Sequence, residues 1–132
     1  MPDANVEIAR RFLALVNAGE VAAALALVAA DAEMDWSDSQ APDSGRYLGP
    51  EGWGAWLAGR GDGFEDVSFD VTELLDVPPD RVLLVAYMSA RGRASGLETR
   101  ALGAAILTLR EGLLTGLRLY QTREEARAAA GL

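Results

Sequence analysis

Residues 82–121, "VLLVAYMSARGRASGLETRALGAAILTLREGLLTGLRLYQ", contain three apolar or alternating runs cut by two turn signals, Gly92 to Gly96 and Glu111-Gly112. Both cuts are short enough for hairpins, so strands are expected over about 82–91, 97–110 and 113–121. A fourth, at about 65–75, precedes them and joins through Pro78-Pro79-Asp80. Four antiparallel neighbours form one sheet, and parity sorts their residues onto two faces. Tyr87, Ser89 and Arg91 share a face with Glu98, Arg100, Leu102, Arg118 and Tyr120. Leu84, Ala86, Met88, Ala101, Gly103, Ala105 and Leu107 share the other. The first face mixes aromatic, charged and apolar groups, as a ligand cleft does. The second is small and apolar, and is expected as the contact surface of a homodimer.

Upstream the period changes. After Asp3, a helix N-cap candidate, Ile8, Phe12, Leu15 and Val16 form a helical stripe closed by Gly19. An Ala-rich helix is expected from about Glu20 to Ala30, and a short strand over 32–37 with Met34 and Trp36 on one face and Glu33 and Asp35 on the other. Ser37 to Gly49 is rich in Ser, Asp, Pro and Gly and reads as loop. Pro50 suits the first turn of a third helix whose face carries Trp53, Trp56 and Leu57, ended by Gly59, Gly61 and Gly63. Thr122 and Glu125 form a capping box for a last short helix. The order is helix, helix, strand, helix, then four antiparallel strands, an α+β arrangement expected to form one domain over 1–132.

Composition removes many functions. The net charge is −8 and all twelve cations are arginine, which leaves no basic face for nucleic acid or an anionic membrane. No apolar run approaches the roughly 18 residues of a membrane span, and the N-terminus does not read as a secretory signal, so a cytoplasmic location is expected. There is no Cys, His or Lys. That excludes a thiolate nucleophile, an imidazole base or ligand, and a Schiff base on a side-chain amine, leaving Asp, Glu and Tyr for proton transfer. No metal or redox cofactor is expected, because the carboxylates are scattered and no Gly-rich phosphate motif follows a strand.

Four segments, "RRFLALVNAGE" (10–20), "AADAEMDW" (29–36), "GRYLGPEGWGAWL" (45–57) and "LTLREGLLTGLRLYQTREEARAAAGL" (107–132), resemble the nuclear-transport-factor-2-like superfamily and, within it, the SnoaL-like proteins. The resemblance implies an α+β cone, a strongly curved, mainly antiparallel sheet packed against three N-terminal helices around a deep pocket, and a dimer through the outer sheet face. It leaves activity open, because the fold hosts isomerases, polyketide cyclases, epoxide hydrolases and non-catalytic subunits. The isomerase branch has an oxyanion-hole tyrosine where this chain has Phe12, and a general-base aspartate where it has Trp36, with Asp35 one residue off. Its protonated aspartate falls near Ala104. The cyclases carry an aspartate and often a histidine on the late strands, where this chain offers Arg118 and Tyr120. Nearest to the hydrolases' Asp-Arg-Asp set are Glu98 and Arg100.

Candidate pocket residues are therefore Trp36 as a floor, Trp53 and Trp56 on one helix face, and Tyr47 over the mouth between Gly45 and Gly49. Tyr87 is the hydrogen-bond donor, and Tyr120, Glu98, Arg100 and Arg118 complete the set, with Arg118 inward beside Glu98 or Glu73. Asp35 and Asp38 lie at the rim and would need burial to act as bases. Two readings stand. One is a cleft for a small apolar or aromatic molecule, with or without acid–base chemistry. The other is a non-catalytic dimerisation or partner-binding module whose aromatics only pack.

Overall fold

A computed structural model describes residues 2–37, 45–59 and 64–132. Among the described residues four helices, α1 (Pro2–Asn17), α2 (Val21–Leu25), α3 (Gly49–Gly59) and α4 (Arg123–Ala129), accompany one six-stranded sheet. Its strands are β1 (Val28–Asp35), β2 (Arg46–Leu48), β3 (Phe64–Val77), β4 (Arg81–Gly92), β5 (Glu98–Arg110) and β6 (Leu113–Tyr120). Their order is β2-β1-β6-β5-β4-β3, so the sheet is open, with β2 and β3 at its edges. All neighbours are antiparallel except β1 with β6. Register shifts interrupt the β1–β6, β3–β4 and β5–β6 ladders, and such bulges bend strands. Among the described residues no helix is long and apolar enough to cross a membrane.

Helix α1 buries Ala9, Phe12, Leu13 and Val16, with Ile8 and Leu15 partly buried beside them. It ends as expected at Gly19, which has φ 77°. The Glu20 N–H donates to Leu15 O and the Gly19 N–H to Val16 O, the paired bonds of a Schellman motif. At the far end of the chain, Thr122 caps α4 by accepting from the Glu125 N–H at 3.1 Å. The β5–β6 turn places both Glu111 and Gly112 at positive φ, 53° and 81°, as a two-residue type I′ hairpin requires.

Three expectations change. The second helix stops at Leu25, and Val28 and Ala29 open β1 instead, because Leu114 of β6 pairs with Val28 and its N–H donates to Leu27 O. Long-range pairing overrides the helix propensity of the alanines. Arg46–Leu48, expected as loop, is an edge strand paired with β1 through Tyr47 and Met34. The third correction concerns the two faces of the sheet. Leu84, Ala86, Ala105, Leu107 and Leu117 belong to one core with Phe12, Leu13, Val16, Trp53 and Trp56. The small apolar face is thus the inner one, covered by the chain's own helices and unavailable to a second copy. The mixed face is the outer one, where Val77, Leu83, Val85, Ala104 and Ile106 form a smaller core with Ala126 and Ala130 of α4.

A candidate binding cavity on the inner face

The small side chains of the inner face leave space that the helices do not fill. Ala86 of β4 and Ala101, Gly103 and Ala105 of β5 line a cavity of ≈ 230 Å³, walled by Trp36, Phe69, Leu84, Met88 and Leu119. Leu102, Ala104 and Tyr120, of opposite parity, also line it together with Gln121, since alanines and a glycine leave the strand backbone uncovered. The deep end is buried at Trp36, Leu84, Ala86 and Ala105, and the other end reaches solvent at Ala101, Leu102 and Gln121. A Cβ built on Gly103 would sit 3.9 Å from Leu119 Cδ1 and 4.0 Å from Ala86 O, which is ordinary contact.

The aromatic wall is layered. Trp36 packs on Trp56 with ring centroids 4.8 Å apart, and Trp56 stacks on Phe69 at 6.3 Å and 28°. Trp36 and Phe69 line the cavity, and Trp56 backs them from α3. Trp53 is fully buried, edge-on to Phe12 at 5.9 Å and 78°. Of the expected pocket residues, Trp36 and Tyr120 line the cavity. Trp53 and Trp56 are core, and Tyr47 packs against that core from the edge strand. Phe69, Met88 and the Ala/Gly stripe stand outside the expected pocket set; the signal for Met88 and the stripe is the small apolar face of β4 and β5, expected as an interface, and Phe69 carries no local signal.

The remaining expected residues lie on the outer face. The Arg100 guanidinium sits 4.0 Å from the centre of the Tyr87 ring and bonds Asp70 at 2.7 Å. Glu98 pairs with Arg91 at 3.1 Å. Arg118 is exposed, over the Tyr120 ring at 5.1 Å, and its cross-strand neighbour is Asp35. Glu73 instead receives Arg123 at 2.9 Å and Arg127 at 3.3 Å, which ties α4 to β3 and raises the Arg123 pKa further. The expectation of an inward Arg118 clamp is corrected for the same reason as the faces: a charge mid-strand marks the face that water can reach when nothing apolar covers it.

Asp35 has an environment opposite to that of a general base. Its Oδ1 accepts from Ser37 Oγ at 2.5 Å and from the Ser37 N–H at 3.1 Å, and these bonds lower its pKa below 3.8, with smaller help from Arg46 and Arg118 against partial burial. A carboxylate whose pKa is depressed on folding contributes stability that is present above its ordinary value and lost as the pH falls through the folded one. Wild type is therefore expected to lose more stability than Asp35→Asn between about pH 4 and pH 2, by up to roughly 1 kcal/mol for a group still partly solvated. Denaturant titrations of both proteins at stepped pH measure the difference, and parallel slopes would refute it. Asp38 lies outside the described residues.

The SnoaL-like domain model matches residues 9–117. The chain belongs to the SnoaL-like family. Among solved structures, a nuclear-transport-factor-2-like protein of Burkholderia xenovorans is 25% identical, with a TM-score of 0.76 over 97% of this chain and 95% of that one. A protein of ketosteroid isomerase-like fold from Catenulispora acidiphila, in complex with trimethylamine, is 21% identical with a TM-score of 0.75, covering 96% and 93%. A Mycobacterium tuberculosis protein in complex with estradiol-17β-hemisuccinate is 19% identical with a TM-score of 0.76, covering 92% and 95%. These likenesses establish the α+β fold of this SnoaL-like chain. No curated protein matches its sequence.

Trp36 and Ala104, at or near which the resemblance to the isomerase branch implied acid–base groups, both line the cavity of this SnoaL-like chain. Phe12, at the third such position, packs against Trp53. Among the described residues no Asp or Glu lines the cavity, and of the residue types that the composition leaves for proton transfer Tyr120 is the one found along it.

Proposed function

We propose that this SnoaL-like protein binds a small, neutral apolar or aromatic molecule in the inner-face cavity. The observation that carries the reading is the lining, which among the described residues is apolar apart from Trp36, Tyr120 and Gln121. A pocket of that composition selects by shape and offers one or two hydrogen bonds for orientation. A cavity of ≈ 230 Å³ that opens to solvent at one end suits a one- or two-ring molecule. The filled-cone alternative is disfavoured by the cavity itself.

The test uses 2-naphthol and toluene as probes, followed by calorimetry and by tryptophan fluorescence. Saturable binding of 2-naphthol with a raised melting temperature is expected. Trp36→Phe should remove most of the fluorescence change, because Trp36 alone of the three tryptophans lines the cavity. Absence of binding by either probe overturns the reading.

We extend the proposal to a homodimer through the outer face. Leu102 and Leu75 are 47% and 37% exposed there, and Leu102 lies directly across from Tyr87. Exposed leucines among paired charges fit a self-complementary contact between two copies. Sedimentation at micromolar concentration should show a dimer that Leu102→Arg converts to monomer; a monomeric wild type overturns this part.

A further inference from the structure

The β3 strand is an edge of the sheet, and among the described residues its outward N–H and C=O groups have no strand to pair with. At Phe69 both are taken by one side chain. Asn17 Nδ2 donates to Phe69 O at 2.8 Å, and the Phe69 N–H donates to Asn17 Oδ1 at 2.8 Å, across 52 residues of sequence. The amide imitates a strand neighbour. Asn17 is the last residue of α1, and the Schellman bonds around Gly19 together with buried Phe12, Leu13 and Val16 hold that end in place.

What is held is a short island. The β3–β4 register shifts between Glu65 and Ser68 and again between Val71 and Glu73, so Phe69 sits in a regular stretch with an irregularity on each side. Strands bend at such points, and the stretch between them has less ladder to fix it. The ring on that stretch is the one that stacks on Trp56 and lines the cavity opposite the small residues of β5.

We propose that Asn17 is a positioning residue: by clamping the Phe69 backbone from the helix side it sets where the Phe69 ring stands and so limits the size of molecule the cavity admits. The ligand part rests on the small-molecule reading above. A residue that merely covers the edge against association would protect the strand without influencing the ring.

The experiment compares the full chain with Asn17→Ala and Asn17→Asp. Hydrogen exchange of the Phe69 amide and nuclear Overhauser contacts between the Phe69 ring and the Trp56 indole are followed by NMR. The affinity ratio of 2-naphthol to toluene is measured by calorimetry. In Asn17→Ala the amide should exchange at least tenfold faster, the ring contacts should weaken, and the ratio should shift about fivefold toward the larger probe, roughly 1 kcal/mol. Asn17→Asp keeps the acceptor for the Phe69 N–H but loses the donor to its carbonyl. It should fall between, and it carries the same readouts should the alanine variant not fold. Unchanged ring contacts and an unchanged ratio, beside a lowered melting temperature, would overturn the proposal and leave Asn17 as an edge cover. If wild type takes up neither probe, the small-molecule reading fails on its own, and the Phe69–Trp56 contacts alone decide whether Asn17 positions the ring.

Discussion

Trp53→Ala is expected to lower stability by about 3–5 kcal/mol, the usual loss for removing a fully buried indole. Trp53 has no exposed surface, sits at the centre of the core that joins α1, α3 and the inner sheet face, and meets Phe12 edge-on. The cavity left behind would be closed in by helix and sheet, neither of which can collapse without losing its own contacts. Trp53→Phe should be much milder, about 1–2 kcal/mol. The indole Nε1 has no hydrogen-bond partner among the described residues, so the phenyl ring sacrifices no bond and relieves a buried donor. Urea unfolding of the three proteins measures the differences. A loss below 1 kcal/mol for alanine would mean that the side chain is solvated and the core misassigned.

Gly103→Leu should nearly abolish probe binding without lowering stability. The position faces the cavity in mid-strand, its first side-chain carbon meets only ordinary contacts, and the remaining three carbons extend into empty space. Glycine inside a strand is itself destabilising by roughly 0.5–1 kcal/mol, and new apolar burial adds to the gain until packing strain opposes it. A melting temperature equal to or above that of wild type, with 2-naphthol affinity reduced more than tenfold, is the expected result. Equal affinity would place the site elsewhere, and a large loss of stability would show that the cavity is narrower than its lining implies.

The pair of substitutions separates two things that the inner face does. Trp53 belongs to the part that is filled and holds α3 against the sheet, and Gly103 belongs to the part left open. Trp36 and Ala104 are apolar and buried, so they fit the wall they occupy.

The sequence by itself determined the elements whose signal is local. The stripe of α1 and its Gly19 stop, the Trp-bearing helix α3, the hairpin at Glu111-Gly112, the Thr122 cap and the four late strands all depend on residues within one or two turns or one hairpin of each other. Four quoted segments were enough to identify the family. The edge strand β2 and the opening residues of β1 were not legible, because Val28 pairs with Leu114 and Tyr47 with Met34, partners that a local window does not contain. The faces of the sheet were read correctly as two sets and assigned to the wrong sides. Alternation fixes which residues point together, since successive side chains must project oppositely, but it carries nothing about what comes to cover them. Only the tertiary structure decides that α1 and α3 dock on the Ala/Gly face, and a stripe of small residues becomes a cavity only once larger elements bridge it. Phe69 owes its place in that cavity to an asparagine 52 residues away, a pairing set by the packing of α1 across the sheet rather than by any spacing along the chain.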